Sequence, residues 1–178
     1  RVLESPHPGV DFVFSWHGNA DLILAIVKLL EDAANAENDV FEVGVKGILL
    51  VEDSIRYYSN YLPELYKIVL TQSREFLTES LNDDQKKYRK RSRPKIFLAT
   101  CLEEAIAYFE KYRRNLLGVI SDVGMVFHKG DDPKTEKLDA GIDLVRIIRE
   151  YDLLTPRPLS VVSGPFFTCS EGKCYAVY

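Results

Sequence analysis

No apolar run in the 178 residues approaches the ~20 needed to cross a bilayer, so no transmembrane helix and no membrane partner is expected. The first residues also lack a basic start followed by an apolar stretch, and no secretory signal is expected. Cysteine is scarce. Cys101, Cys169 and Cys174 make neither a disulfide framework nor a C-x-x-C metal pair, so a reducing, cytoplasmic setting is the expectation. Positive charge is in deficit as well. A net charge of −4 argues against a general nucleic-acid binder, whose affinity would rest on neutralising phosphates. There is no Gly-rich nucleotide loop and no helix-turn-helix pattern after the last apolar segment, so a further domain of that kind is expected only elsewhere in a longer chain.

What is present suits a globular fold. Hydrophobic residues make up 46% and charged residues 28%, enough to bury a core. Gly47 to Ser54 (GILLVEDS) is a short apolar run that ends abruptly in acids, the pattern of a strand buried on both faces of a parallel sheet. Lys95–Thr100, Leu116–Asp122 and Pro158–Gly164 repeat it. Between them, Ile55–Leu70 (interrupted by Pro63), Glu103–Tyr112 and Gly141–Tyr151 carry apolar residues at helical spacing. Strands alternating with helices imply right-handed crossovers and a doubly wound parallel sheet, an α/β fold.

Two stretches exceed a minimal unit. Residues 72–94 form a long polar insertion with a basic run from Lys86 to Arg93 (KKYRKRSR), read as a solvated helix extension and loop rather than a docking patch. Residues 1–44 read as a separate strand–helix segment. Asp11–Trp16 resembles a strand, and Ala20–Ala34 an amphipathic helix, the tail of a preceding domain or a piece packing onto the main unit, 45–178. Trp16 reads as core or interface. His17 and His128, without paired metal-ligand spacing, read as surface residues.

The acids at the strand ends carry the chemistry. Glu52 and Asp53 follow the first strand, Asp122 the third, and Ser163 the fourth. Ligands of open parallel sheets bind beyond the carboxyl ends of the strands, so these side chains should converge on one crevice. Any one of them alone is more often a solvated turn or a helix cap, and Ser163 before Gly164 is also a common loop start. Together, three carboxylates repel and titrate high unless a cation neutralises them, and a hard oxygen cluster suits Mg2+. An aspartate in such a site can act as the nucleophile in phosphoryl transfer.

Those residues resemble the response-regulator receiver family of two-component signalling. Val51–Ser54 matches its acidic pair, Ile120–Asp122 its phosphoacceptor, and Ser163–Gly164 its hydroxyl residue followed by a small one. Glu103–Ala105 and Gly141–Arg149 are similar to its later helices, and the resemblance spans about Val45 to Gly164. It implies a flavodoxin-like fold in which Asp122 accepts a phosphoryl group from a histidine kinase or phosphotransfer protein. Mg2+ would be held by Glu52, Asp53, Asp122 and the backbone carbonyl of Gly124. Ser163 would contact the phosphoryl group and switch a protein-interaction surface. No turnover enzymology is implied beyond slow autodephosphorylation. An acid-nucleophile phosphohydrolase would want a second aspartate where Gly124 stands.

The chain departs from the family after Ser163. The phosphoryl-contacting lysine of a fifth strand has no counterpart, since Lys173 lies too close to Ser163 to have passed through a helix first. The fifth strand and last helix are therefore missing, altered or exchanged. The N-terminal unit, 1–44, is then either the remnant of an upstream receiver-like domain or the piece that supplies them, in cis or through a homodimer by element exchange. The alternative reading is a degenerate receiver that serves only as a protein-interaction or dimerisation module.

Overall fold

The computed structural model describes residues 10–78, 93–152 and 160–163. Among these residues four strands, β1 (Gly47–Val51), β2 (Lys95–Ala99), β3 (Leu116–Ser121) and β4 (Ser160–Ser163), form one parallel sheet in the order β2-β1-β3-β4. The expected apolar runs supply them: Leu50 sits in register with Leu98 on one side and Ile120 on the other. Among the described residues four α-helices accompany the sheet: α1 (Asp21–Glu37), α2 (Ile55–Thr78), α3 (Leu102–Tyr112) and α4 (Ala140–Asp152). A π-helical turn, Asn38–Glu42, extends α1.

The strand alternation divides the core in two. Leu49, Val51, Phe97, Ala99 and Val119 point to one face, where Ala105 and Phe109 of α3 and Leu144 and Ile148 of α4 cover them. Leu50, Ile96 and Leu98 point to the other, beneath Ala25 and Leu29 of α1 and Leu62, Tyr66 and Val69 of α2. Burial on both faces is why these strands read as unbroken apolar runs instead of alternating ones.

Pro63 does not interrupt α2, which runs on to Thr78. Proline removes one intrahelical donor. The buried stripe of Leu62, Tyr66 and Val69, which continues past it, holds the helix on the sheet.

The N-terminal segment lies against the α2 side of the fold. Residues 11–16 belong to no strand. Instead the Tyr58 hydroxyl donates to the Val13 carbonyl, the Ser15 amide donates to Ser59 Oγ at 2.9 Å, and Phe14 meets Tyr58 edge-on at 5.6 Å. Trp16 is 55% exposed and is not core.

Asp32 fixes α1 to the sheet edge. It is fully buried and accepts hydrogen bonds from Arg93 Nη1 (3.0 Å) and Nη2 (2.6 Å), the Tyr66 hydroxyl (2.9 Å) and the Ile96 amide (3.1 Å). Lys95 Nζ lies 3.4 Å from Asp32 and 2.6 Å from Asp39. Arg93, read as the end of a solvated basic run, is thus a buried anchor; residues 79–92, with the rest of that run, lie outside the described residues. The Ile96 bond matters because, among the described residues, β2 has no strand beside it on the side away from β1, where Asp32 supplies an acceptor in place of one. The call on what completes the sheet beyond β4 falls on residues 164–178, outside the described residues, whereas α1 packs at the opposite, β2, edge.

Removing one member of a buried ion cluster leaves its partners charged and dry. Asp32→Ala should lower unfolding free energy by about 3–5 kcal/mol in urea titrations. Glu31→Ala, which removes a half-exposed carboxylate paired with Lys28 and 4.0 Å from Arg93, should change it by less than about 1 kcal/mol.

Candidate metal centre

The sheet ladder continues one residue past β1 and β3, and this aims the acids. The Glu52 amide donates to the Ala99 carbonyl at 3.0 Å, and the Asp122 amide donates to the Val51 carbonyl at 2.9 Å. Both residues are therefore pinned through their own backbones to the neighbouring strand. Carboxylate oxygens of Glu52, Asp53 and Asp122 all lie within 4.8 Å of one another. Among the described residues, none of the three is in an ion pair with a lysine, arginine or histidine.

Backbone amides supply part of the compensation. Ser54 N–H donates to Glu52 Oε1 (3.2 Å), Val126 N–H to Asp53 Oδ2 (3.2 Å) and Val123 N–H to Asp122 Oδ1 (2.7 Å). That is too little for Glu52. Burial first, then the Asp122 charge, pushes its carboxyl up to about 8, with Asp53 and Glu136 adding to the rise. Burial likewise raises Asp53, helped by Glu136 and Asp122.

The loop after β3 is held at several points. Met125 and Lys137 exchange backbone hydrogen bonds as an antiparallel bridge, and Met125 is fully buried. The Val126 and Phe127 carbonyls accept from the Leu102 and Glu103 amides, satisfying donors in the first turn of α3 that have no intrahelical partner. The Gly141 amide donates to the Val123 carbonyl at 2.8 Å. A Cβ on Gly141 would run into the Asp122 carbonyl oxygen, so only glycine lets α4 start this close to the phosphoacceptor candidate.

This loop carries a residue that strand-end reasoning passed over. The Glu136 carboxylate stands over Gly124, where a Cβ would collide with it. Glu136 is a fourth acid beside the cluster because its neighbour Lys137 pairs with Met125. Tyr61 on α2 is also close by: its hydroxyl is raised by burial, then by Glu52 and Asp122. Lys137 itself is engaged with Asp143 and Asp139.

The other expected site residues fall as follows. Gly124 lies two positions after Asp122 under Glu136. Ser163 ends β4 and its backbone is in register with Ser121, next to Asp122. Lys173 lies outside the described residues. His128 is exposed and meets Glu103 Oε2 at 2.9 Å.

The donor set fits a hard divalent cation. Two oxygens on opposite sides of an Mg2+ ion are separated by about 4.2 Å, twice the ~2.1 Å bond. The cluster spans at most 4.8 Å, so a small contraction or one bridging water brings all three into a single sphere.

Two expectations follow. A carboxyl raised from 4.5 to about 8 keeps a proton that the unfolded chain has released, so without divalent cations stability should fall as pH rises through that interval. Glu52→Gln should flatten the slope in denaturation curves taken across the range. Gly141→Ala should cost about 1–3 kcal/mol of stability, because the neighbour it meets is backbone and cannot rotate away. Comparison of the chain with family models, with curated proteins and with solved structures returned no match.

Proposed function

We propose that this chain is a receiver-type phosphoacceptor in which Asp122 takes a phosphoryl group with the help of Mg2+. The observation that carries the reading is the convergence of Glu52, Asp53 and Asp122 at the carboxyl ends of adjacent parallel strands, with no lysine, arginine or histidine paired to them among the described residues. The strand order β2-β1-β3-β4 supports it, since it is the order of the first four strands of the flavodoxin-like fold, whose ligands sit beside β1 and β3.

The chemistry asked of the residues is modest. An Asp122 carboxylate oxygen attacks phosphorus of a phosphohistidine, the N–P bond breaks in line, and the released imidazole takes up a proton. Glu52 and Asp53 hold the cation, directly or through water. The cation, once bound, offsets charge on the transferring oxygens and lowers the cost of placing a third carboxylate among them. Main-chain tethers link Asp122 to α4 through Val123 and Gly141, and Asp53 to the Val126 loop. A change of charge at Asp122 then shifts the surface that a kinase, a phosphotransfer protein or an output domain meets.

One observation favours the second reading, a degenerate receiver that works only by protein contact. Glu136 adds a fourth carboxylate beside Gly124 and repels an incoming phosphoryl group.

The test separates the two. In Mg2+ with a small phosphodonor such as acetyl phosphate, the wild-type chain should gain one phosphoryl adduct by intact mass, and Asp122→Asn none. Mg2+ alone should raise the melting temperature, more at pH 8 than at pH 5, with the gain largely lost in Asp53→Asn. Failure to form the adduct while the Mg2+ effect persists would leave the contact-only reading.

A further inference from the structure

Helix α1 is apolar on two nearly opposite faces. Leu22, Ala25, Leu29 and Ala36 are buried against the sheet, with Asp32 in the same stripe. Two residues out of phase, about 200° round a helix of 3.6 residues per turn, runs a second stripe. It comprises Ala20, Ile23, Val27, Leu30 and Ala34, all exposed. Ile23 is 57% exposed, Val27 54% and Leu30 52%, and Leu24 at 47% adjoins them. A helix apolar on both faces is ordinarily covered on both.

The spacing of the exposed stripe, three then four residues, is that of a seam against another helix. Its sizes read small, large, medium, large, small about Val27. Turning a second α1 end for end about Val27 therefore sets Ile23 against Leu30, Leu30 against Ile23, and alanine against alanine at both ends. The stripe is complementary to itself, which is what an isologous two-fold contact requires. Opposed helix dipoles add to the fit.

The area suffices. About half of each of four aliphatic side chains amounts to on the order of 350 Å² of apolar surface, the size at which a monomer's largest patch is functional. With a polar rim in usual proportion this becomes roughly 600 Å² per partner, or ~1,200 Å² in all, the lower bound of stable interfaces.

We propose that the exposed face of α1 is the interface of a homodimer, with two copies of the helix packed antiparallel across a two-fold axis at Val27. The contact is independent of phosphorylation at Asp122 and stands whether or not that reading holds.

Sedimentation velocity of the full chain, from low micromolar to about 200 µM, tests it. The expected result is a reversible shift to twice the monomer mass, abolished by Val27→Glu and by Leu30→Glu with unchanged circular dichroism. Cysteine cross-linking in a Cys169→Ser, Cys174→Ser background fixes the direction. Val27→Cys should form a disulfide dimer. Ala20→Cys should not, because its two copies would lie ~21 Å apart along the antiparallel pair. A wild-type chain that stays monomeric throughout, a dimer that survives both glutamate variants, or efficient cross-linking through Ala20→Cys would each overturn the proposal.

Discussion

The structure depends on a contradiction between apolar burial and charge. Strands β1 and β3 are held side by side in register by the backbone ladder and by side chains packed on both faces. The same ladder carries one residue beyond them and fixes Glu52 and Asp122, so the acids cannot separate without unpairing the sheet. Two unit charges 4.8 Å apart at an effective dielectric near 20 repel by about 3–4 kcal/mol. Against a typical net stability of 5–15 kcal/mol, that is a large standing cost. It leaves the molecule three responses: hold a proton on Glu52, recruit backbone amides, or bind a cation. The first two are visible in the raised Glu52 carboxyl and in the Ser54, Val126 and Val123 donors.

Much of this was legible in the residues. Strands buried on both faces announce themselves as apolar runs, and each run stopped where the sheet stops. The three acids were therefore placeable at one edge from order alone. What depended on pairing between distant segments was not legible. Glu136 reaches the cluster because Met125 bridges to Lys137, and no local pattern marks that bridge. Arg93 sits in a run of cations that composition assigns to solvent, yet Asp32 lies across from it on α1 and draws it inside. Pro63 and the Asp11–Trp16 segment failed for a related reason: tertiary packing kept α2 helical through a proline, and aromatic contacts laid a strand-like sequence along a helix.

The loop between β3 and α4 gives the cluster its mechanical reach. Val126 donates to Asp53 and accepts from Leu102, so one residue connects the acid pair to the start of α3. Val123 caps the Asp122 side chain and accepts from Gly141, which connects the third acid to the start of α4. In the proposed reading these bonds form the route by which charge at Asp122 is felt on the surface. Each is a direct hydrogen bond to the backbone at the start of a helix or of the loop before it, so a displacement at the cluster is passed to those elements.

How the fold can meet partners follows from how its edge is closed. An exposed edge strand invites another strand to add to it. At β2 that invitation is withdrawn, because Asp32 takes the Ile96 amide and α1 lies along the edge. Strand addition there would require lifting α1 and stranding Arg93 and Lys95 without their buried anion. The helix that closes the edge presents its own apolar stripe outward. Asp32, by holding the Ile96 amide and α1 together, opposes sheet extension at β2, and the proposed dimer uses the helix face instead.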